Sequence, residues 1–326
     1  MVAEVIPIES PLPPGISTAP VLLTGATGFI GRRIQSSLLA AGFPLRIILR
    51  PGSKHARHLD PRCEVHSCSL SDAVGLRRAA EGARAIVYCA GSVRGRSLDD
   101  FLPANVAGVS AILQAQAALK SQSPLLLISS LAASRPELSH YAHSKFLGEQ
   151  MLREHVASPW TILRPPAVYG PGDTEMRPIL KMVRRGLVFV PGGKPQQLSL
   201  LYVDDLAGAV LAWLGAWQQC SNMTFSIDDG REGGYDWPGI AHAAGCTRYR
   251  SLGIPYFVLA GAARVNWLVS RVAGFAPMFT PGKVRELTQT DWLCDNAAFV
   301  QATGWKPRTQ LPSGIRLSLE DRDLKT

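Results

Sequence analysis

Tyr141 and Lys145 lie four residues apart in Tyr141-Ala142-His143-Ser144-Lys145, and Ser129-Ser130 close an apolar run shortly upstream. Residues at that spacing share one face of a helix. A phenol titrates near pH ~10, which makes it a poor base at neutral pH. A neighbouring ammonium favours the phenolate and lowers that value. Lys145 is placed for this role, and could also hold ribose hydroxyls of a nucleotide. Ser130, at the end of a strand, would point into a cleft and steady charge on a substrate oxygen. A lone Tyr-xxx-Lys pair reads equally well as an exposed helix face. A third element tips the balance: Thr24-Gly25-Ala26-Thr27-Gly28-Phe29-Ile30-Gly31 can hold a pyrophosphate. Together the three segments predict hydride transfer between a nicotinamide nucleotide and a carbon–oxygen centre.

The glycine loop follows a short apolar run and precedes a helical pattern. Gly25 permits the tight turn, Gly28 lets backbone approach the pyrophosphate, and Gly31 allows close helix–strand packing. Helix N-terminal amides would face the phosphates. Thr27, Phe29 and Ile30 belong to the same binding loop. An NAD site usually ends its second strand with an acid for the ribose 2′-hydroxyl. No Asp or Glu occurs here from Ser10 to Leu59, where Arg32, Arg33, Arg46, Arg50, Lys54 and Arg57 stand instead. Arg50 follows the run Ile47-Ile48-Leu49, and Arg32 follows the third glycine. Guanidinium groups grip a 2′-phosphate that a carboxylate would repel. NADP(H) is therefore expected over NAD(H). Arg46 and Arg57 read as solvated surface bases.

Such a site needs rigid elements to present it. Short apolar runs at 21–23, 45–49, 85–88, 125–128 and 161–163 suit strands buried on both faces of a parallel sheet. Between them lie helical patterns at 32–41, 73–80, 106–120 and 141–155. This rhythm predicts an α/β fold, a doubly wound parallel sheet of Rossmann type, with ligands at the carboxyl ends of its strands. Residues 20–165 would form the nucleotide-binding domain, with returning segments around 198–228. Within these, 198–203 and 223–227 read as strands, and Asp204-Asp205 opens a helix with an aspartate cap. Residues 166–326 would mainly form a smaller, largely helical substrate lobe. Residues 1–19 read as a flexible leader.

The composition narrows the function classes. The 326 residues are 46% hydrophobic and 18% charged, with a net charge of +9. There is no run of like charges and no basic–aromatic interleaving, which argues against nucleic acid as partner. The six cysteines have no metal spacing and read as reduced thiols in a cytoplasmic protein; no metal is expected. Residues 1–19 lack both the basic and the apolar regions of a signal peptide. Residues 254–278 are strongly apolar but broken by Arg264, Asn266, Ser270 and Arg271, so they do not read as a bilayer span. A helix packed on the domain is the expectation there, with one resting on a hydrophobic ligand or a membrane surface as the minor alternative.

The chain resembles the short-chain dehydrogenase/reductase superfamily in its extended form, which includes sugar-nucleotide epimerases, hydroxysteroid dehydrogenases and dihydroflavonol reductases. The resemblance covers the glycine loop, Cys89-Ala90-Gly91, Asn105, the Ser/Tyr/Lys set, Arg164-Pro165 and Tyr202-Val203-Asp204-Asp205. A weaker likeness lies in Gly304-Trp305-Lys306-Pro307. It implies Tyr141 as general acid/base, Lys145 as its modulator and ribose anchor, Ser130 as polariser, and Asn105 in a structural or relay role. It also implies cofactor contacts at Cys89, Ala90, Gly91 and Pro165, and near Ser69 and Leu70, where Ser69 replaces the usual Asp. Ala167 stands where sugar-nucleotide enzymes usually carry Asn, and Leu131-Ala132-Ala133 where sugar dehydratases carry acids. Both departures tilt toward the hydroxysteroid-dehydrogenase and dihydroflavonol-reductase branch and a small, apolar ketone or alcohol. Arg94, Ser130, Tyr169 and Met176 are candidate substrate contacts, with 93–97 a candidate specificity segment. A sugar-nucleotide epimerase and a non-catalytic NADP(H)-binding protein remain as alternatives. A homodimer is plausible by analogy.

Overall fold

A computed structural model of the chain describes residues 18–155 and 158–320. All of the expected leader except residues 18 and 19 lies outside the described residues. The chain begins β1 (Val21–Thr24), α1 (Phe29–Ala40), β2 (Leu45–Leu49), β3 (Glu64–Ser67), α2 (Ala73–Ala80) and β4 (Ala85–Tyr88). It continues with α3 (Gly108–Ala118), β5 (Leu125–Ile128), α4 (His140–Arg153), β6 (Trp160–Arg164), β7 (Ala167–Tyr169) and α5 (Met176–Arg184). Next come β8 (Leu187–Pro191), β9 (Gln197–Leu198), β10 (Leu200–Tyr202), α6 (Val203–Ala216), β11 (Met223–Ser226) and α7 (Trp237–Ala243). The last elements are β12 (Arg250–Ile254), α8 (Tyr256–Ala273), α9 (Pro281–Leu287), β13 (Asp291–Trp292), α10 (Ala297–Thr303) and α11 (Leu311–Glu320).

Seven strands form one parallel sheet in the order β11-β6-β5-β4-β1-β2-β3. The winding reverses between β1 and β4, which opens the crevice where doubly wound sheets bind ligands. β1, β4 and β5 are buried at every position, as their unbroken apolar runs require. The core on one face of the sheet runs from Ile34 and Leu38 of α1 to Trp213 of α6 and Phe299 of α10. The other face packs Leu76 of α2, Ile112 of α3 and Leu152 of α4.

The expected returning segments divide. β11 rejoins the sheet beside β6, whereas β10 pairs only with β7, outside the sheet. The two-strand pairs β7/β10, β8/β12 and β9/β13 build the second lobe. Its core holds Tyr169, Leu180, Trp237 and Ile315. α6, within the expected returning segment, and α10, beyond it, both pack into the sheet's own core. Edge strand β3 had no apolar signature, since three of its four residues are exposed.

The aspartate cap does not form. α6 starts at Val203 with no side-chain cap bond. Asp204 pairs instead with Arg33 of α1 at 3.1 Å. Asp205 is buried and accepts from the backbone N–H groups of Arg308 and Thr309, both at 2.9 Å. Partners brought from distant sequence outbid local capping for both carboxylates.

The expected packing of 254–278 holds for one side of the helix only, where Asn266 and Trp267 bond the carbonyl oxygens of Phe279 and Arg96. Within α8 only Ala263 and Ser270 are buried. Phe257 is 75% exposed and Val272 92% exposed. Among the described residues no helix is long and apolar enough to cross a membrane.

Candidate active site

Thr24 ends β1, and its hydroxyl accepts from the Cys89 and Ala90 N–H groups beyond β4, both at 3.1 Å. That tie fixes the two loops flanking the crevice. Gly25 has φ of +70°, and a Cβ there would lie 2.7 Å from the Ala90 nitrogen. A Cβ on Gly31 would lie 2.0 Å from the Gly25 carbonyl oxygen. No side chain caps the start of α1 and no acid occupies its first turn. Its free N-terminal amides therefore face the crevice as an anion site. Side chains at Gly25 or Gly31 would meet this backbone and force the loop out of its shape.

A cavity of about 1090 Å³ runs from this loop into the second lobe. Gly25, Gly28, Phe29, Ile30, Gly31, Cys89, Gly91 and Pro165 line it, together with Ser130, Tyr141, Lys145 and Met176. Thr27, Arg32, Arg50, Ser69, Leu70, Ala90, Arg94, Asn105 and Tyr169 are not in its wall.

Ser139 caps α4, accepting from the Ala142 N–H at 2.9 Å, and so sets the helix that carries Tyr141 and Lys145. The Phe101 ring leans on the Tyr141 ring at 6.1 Å between centroids. Ser129 and Ser130 have opposite fates. Ser129 is buried and donates to Glu149 at 2.6 Å. Glu149 also takes Arg164 at 2.6 Å and Arg153 at 2.9 Å. Both serines line the cavity, but the Ser129 hydroxyl is taken by Glu149, whereas that of Ser130 accepts from the Ala132 N–H at 3.2 Å and hydrogen-bonds Tyr141.

Lys145 is buried and donates to the Ile128 carbonyl oxygen at 2.8 Å. Burial lowers its pKa to about 8, with the charges of Cys89 and Glu149 opposing. Burial also pushes the Tyr141 phenol up to about 12, while a hydrogen bond with Ser130 lowers it and the Glu286 charge raises it. The expected lowering by Lys145 is therefore absent: desolvation outweighs any ammonium effect, and the phenol is held protonated.

Asn105 sits in a π-helical turn, Pro103–Ala107, before α3. Its side-chain oxygen accepts from the Ser92 N–H at 2.9 Å, and its amide donates to the Ser144 hydroxyl at 2.8 Å. It thus ties the loop after β4 to α4, one residue before Lys145. Arg94 pairs with Glu175, Nε to carboxylate at 3.1 Å, so Arg94 is held at the rim. Tyr169 is 1% exposed and lies against Tyr202 in the core of the second lobe, away from the cavity. The 93–97 segment is held to the second lobe. The Gly95 N–H donates to the Pro277 carbonyl oxygen at 3.2 Å, and the Trp267 indole donates to that of Arg96 at 3.0 Å.

The basic set also divides. Arg46 is not a solvated base: it holds Glu64 and the carbonyl oxygen of Ala79, both at 2.9 Å. Arg33 is taken by Asp204. Arg50 is exposed just past β2, two residues after Ile48, the register partner of Thr24. Ser69 bonds Ser71 at 2.8 Å.

Sequence reasoning missed the far wall. Glu286 of α9 accepts from the Ser139 hydroxyl and is paired with Lys283 at 2.8 Å. Trp237, Trp267 and Phe279 line the same cavity. No local signal marks them, because each is brought to Tyr141 from far along the chain. Among the described residues no cluster could hold a metal.

A ceramide reductase of Caulobacter vibrioides is 34% identical over 290 residues, covering 86% of this chain and 88% of that protein. A 2-alkyl-3-oxoalkanoate reductase of Shewanella oneidensis is 27% identical over 241 residues, covering 64% and 61%. The fold matches the Thermus thermophilus UDP-glucose 4-epimerase solved in complex with NAD. The TM-score is 0.68 at 21% identity, covering 94% of this chain and 100% of that one. The model of the NAD dependent epimerase/dehydratase family matches residues 21–224. The chain belongs to this family and is an NAD(P)-dependent oxidoreductase of the extended short-chain dehydrogenase/reductase type.

Proposed function

We propose that this enzyme interconverts a ketone and a secondary alcohol on an apolar amphiphile, using NADP(H). The observation that carries this reading is the shared cavity: Ser130, Tyr141 and Lys145 open into the same space as the glycine loop, and the lining of that space is mainly apolar, with Trp237, Trp267 and Phe279 beside the Lys283–Glu286 pair. When bound, the nicotinamide supplies a hydride to the carbonyl carbon. Tyr141, protonated at neutral pH, donates its proton to the carbonyl oxygen. The Ser130 hydroxyl polarises that oxygen. Lys145 holds positive charge behind the phenol and is placed for the ribose hydroxyls. Arg50 and Arg32, neither of them in an ion pair with a described residue, are the candidates for a 2′-phosphate.

One reductase relative is named for a lipid, the other for a 3-oxo group beside alkyl chains. A keto group on an alkyl-chain amphiphile joins the two and suits walls made by Met176, Ile179, Trp237 and Phe279. The epimerase alternative has only fold likeness behind it, and the apolar wall speaks against a nucleotide sugar. The complete Ser/Tyr/Lys set in one cavity speaks against a purely binding role.

The test follows nicotinamide absorbance with NADPH or NADH and a 3-oxo amphiphile in detergent. Ketone-dependent NADPH loss that Tyr141→Phe abolishes supports the reading. Turnover of UDP-glucose without added nucleotide, and none of the ketone, replaces it with the epimerase.

A further inference from the structure

Helix α8 carries a wide apolar face that nothing in the described chain covers. Phe257, Val258, Val265, Val269 and Val272 are exposed along it, and Phe275 follows beyond its end. At 100° per residue they fall on one side of the helix, opposite buried Ala263 and Ser270. Arg264 and Arg271, two turns apart, mark one edge of this face. Both are exposed, and Arg271 stacks over the Trp267 ring at 5.2 Å. Pro255 and a left-handed Gly274 bound the helix, so its face is a fixed feature of the fold.

An uncovered apolar face marks a contact surface, and charge identifies the partner. From Trp237 to Arg285 the chain contains no Asp or Glu. The same span exposes Arg248 and Arg250 on the strand side of α8, in addition to the two helix arginines. A second copy of this chain would bring like charge against like. An anionic lipid surface supplies both what the valines and phenylalanines need and what the arginines need.

The helix is also continuous with the active site. Arg264 and Leu268, on the arginine edge of that face, line the cavity together with Trp267. The outer apolar face thus borders the chamber that contains Tyr141.

We propose that α8 docks this enzyme in the plane of an anionic phospholipid surface, lying on the bilayer without crossing it, so that the cavity faces the lipid. Delivery of an amphiphilic ketone by this route rests on the reductase reading; the docking itself does not.

The test uses the full chain and vesicles of equal parts phosphatidylglycerol and phosphatidylcholine, against phosphatidylcholine alone. The wild type should float with the anionic vesicles and be released by raised salt. Phe257→Glu/Val265→Glu/Val272→Glu should float about tenfold less. These side chains lie outside the cavity wall, so the variant should bind NADPH and turn over a short, soluble ketone at the wild-type rate. Its turnover of a vesicle-embedded ketone should fall by about the same factor. Flotation equal to the wild type's would overturn the proposal, as would a wild type that ignores anionic vesicles. A variant that only turns a dimer into a monomer would assign the face to a second copy. Flotation without turnover of any ketone would leave the docking standing and remove the reductase reading.

Discussion

Phe299 and Phe257 show how differently the two halves of this molecule are held. Phe299 is fully buried in the sheet's core, edge-on to Phe225 at 5.3 Å and to Trp305 at 5.6 Å. Phe257 is three-quarters exposed on α8. In the nucleotide half, hydrophobicity is spent on cohesion. In the second lobe, part of it is left facing outward or into the cavity. Apolar residues in this chain are therefore evidence of a core only where a sheet is present to receive them.

The strongest attempt to break the comparison targets chemistry in the rigid half. Tyr141→Phe should lower ketone turnover by roughly a hundred- to ten-thousand-fold. Nucleotide affinity, read by fluorescence titration, should stay unchanged. Next comes cohesion: Phe299→Ala should cost about 3–5 kcal/mol in denaturant unfolding. The matching change, Phe257→Ala, should stay within about 0.5 kcal/mol. Equal costs would erase the distinction between the lobes.

A third experiment sharpens cofactor choice within the nucleotide half. Arg50→Ala should weaken NADPH about tenfold and leave NADH nearly untouched. A parallel loss of both would remove Arg50 from the 2′-phosphate site. A fourth effect is electrostatic. The Lys145 pKa is depressed to about 8 from an ordinary 10.5. Below pH ~8 the amine is charged in folded and unfolded chains alike. Between there and its ordinary value the folded chain sheds a proton that the unfolded chain keeps, so this residue makes stability rise with pH. Thermal unfolding should show that rise in the wild type and lose it in Lys145→Met.

Legibility followed locality. β2, β4, β5 and α2 match their sequence patterns residue for residue, because continuous burial and helical periodicity leave local marks. The glycine loop was readable for a similar reason, since Gly25 and Gly31 answer to backbone contacts within a few residues of each other or across one strand pair. β3 was missed because an exposed edge strand needs no apolar run. The roles of Asp205 and Glu286 were not legible, because their partners lie about a hundred residues or more away. The same distance hid the fate of Tyr169: a tyrosine beside a Pro-Gly turn can face a ligand or a core, and packing against Tyr202 decided for the core.

The sequence alone determined the sheet, the pyrophosphate cradle and the order of hydroxyl, phenol and amine, since each depends on residue type at short spacing. Only the tertiary structure decided that Glu149 takes the Ser129 hydroxyl while that of Ser130 meets Tyr141, that Arg46 is spent on Glu64, and that α8 turns its valines outward. Those outcomes depend on which distant groups compete for a side chain. That competition is settled by folding, when burial makes every unpaired charge costly and every available partner count.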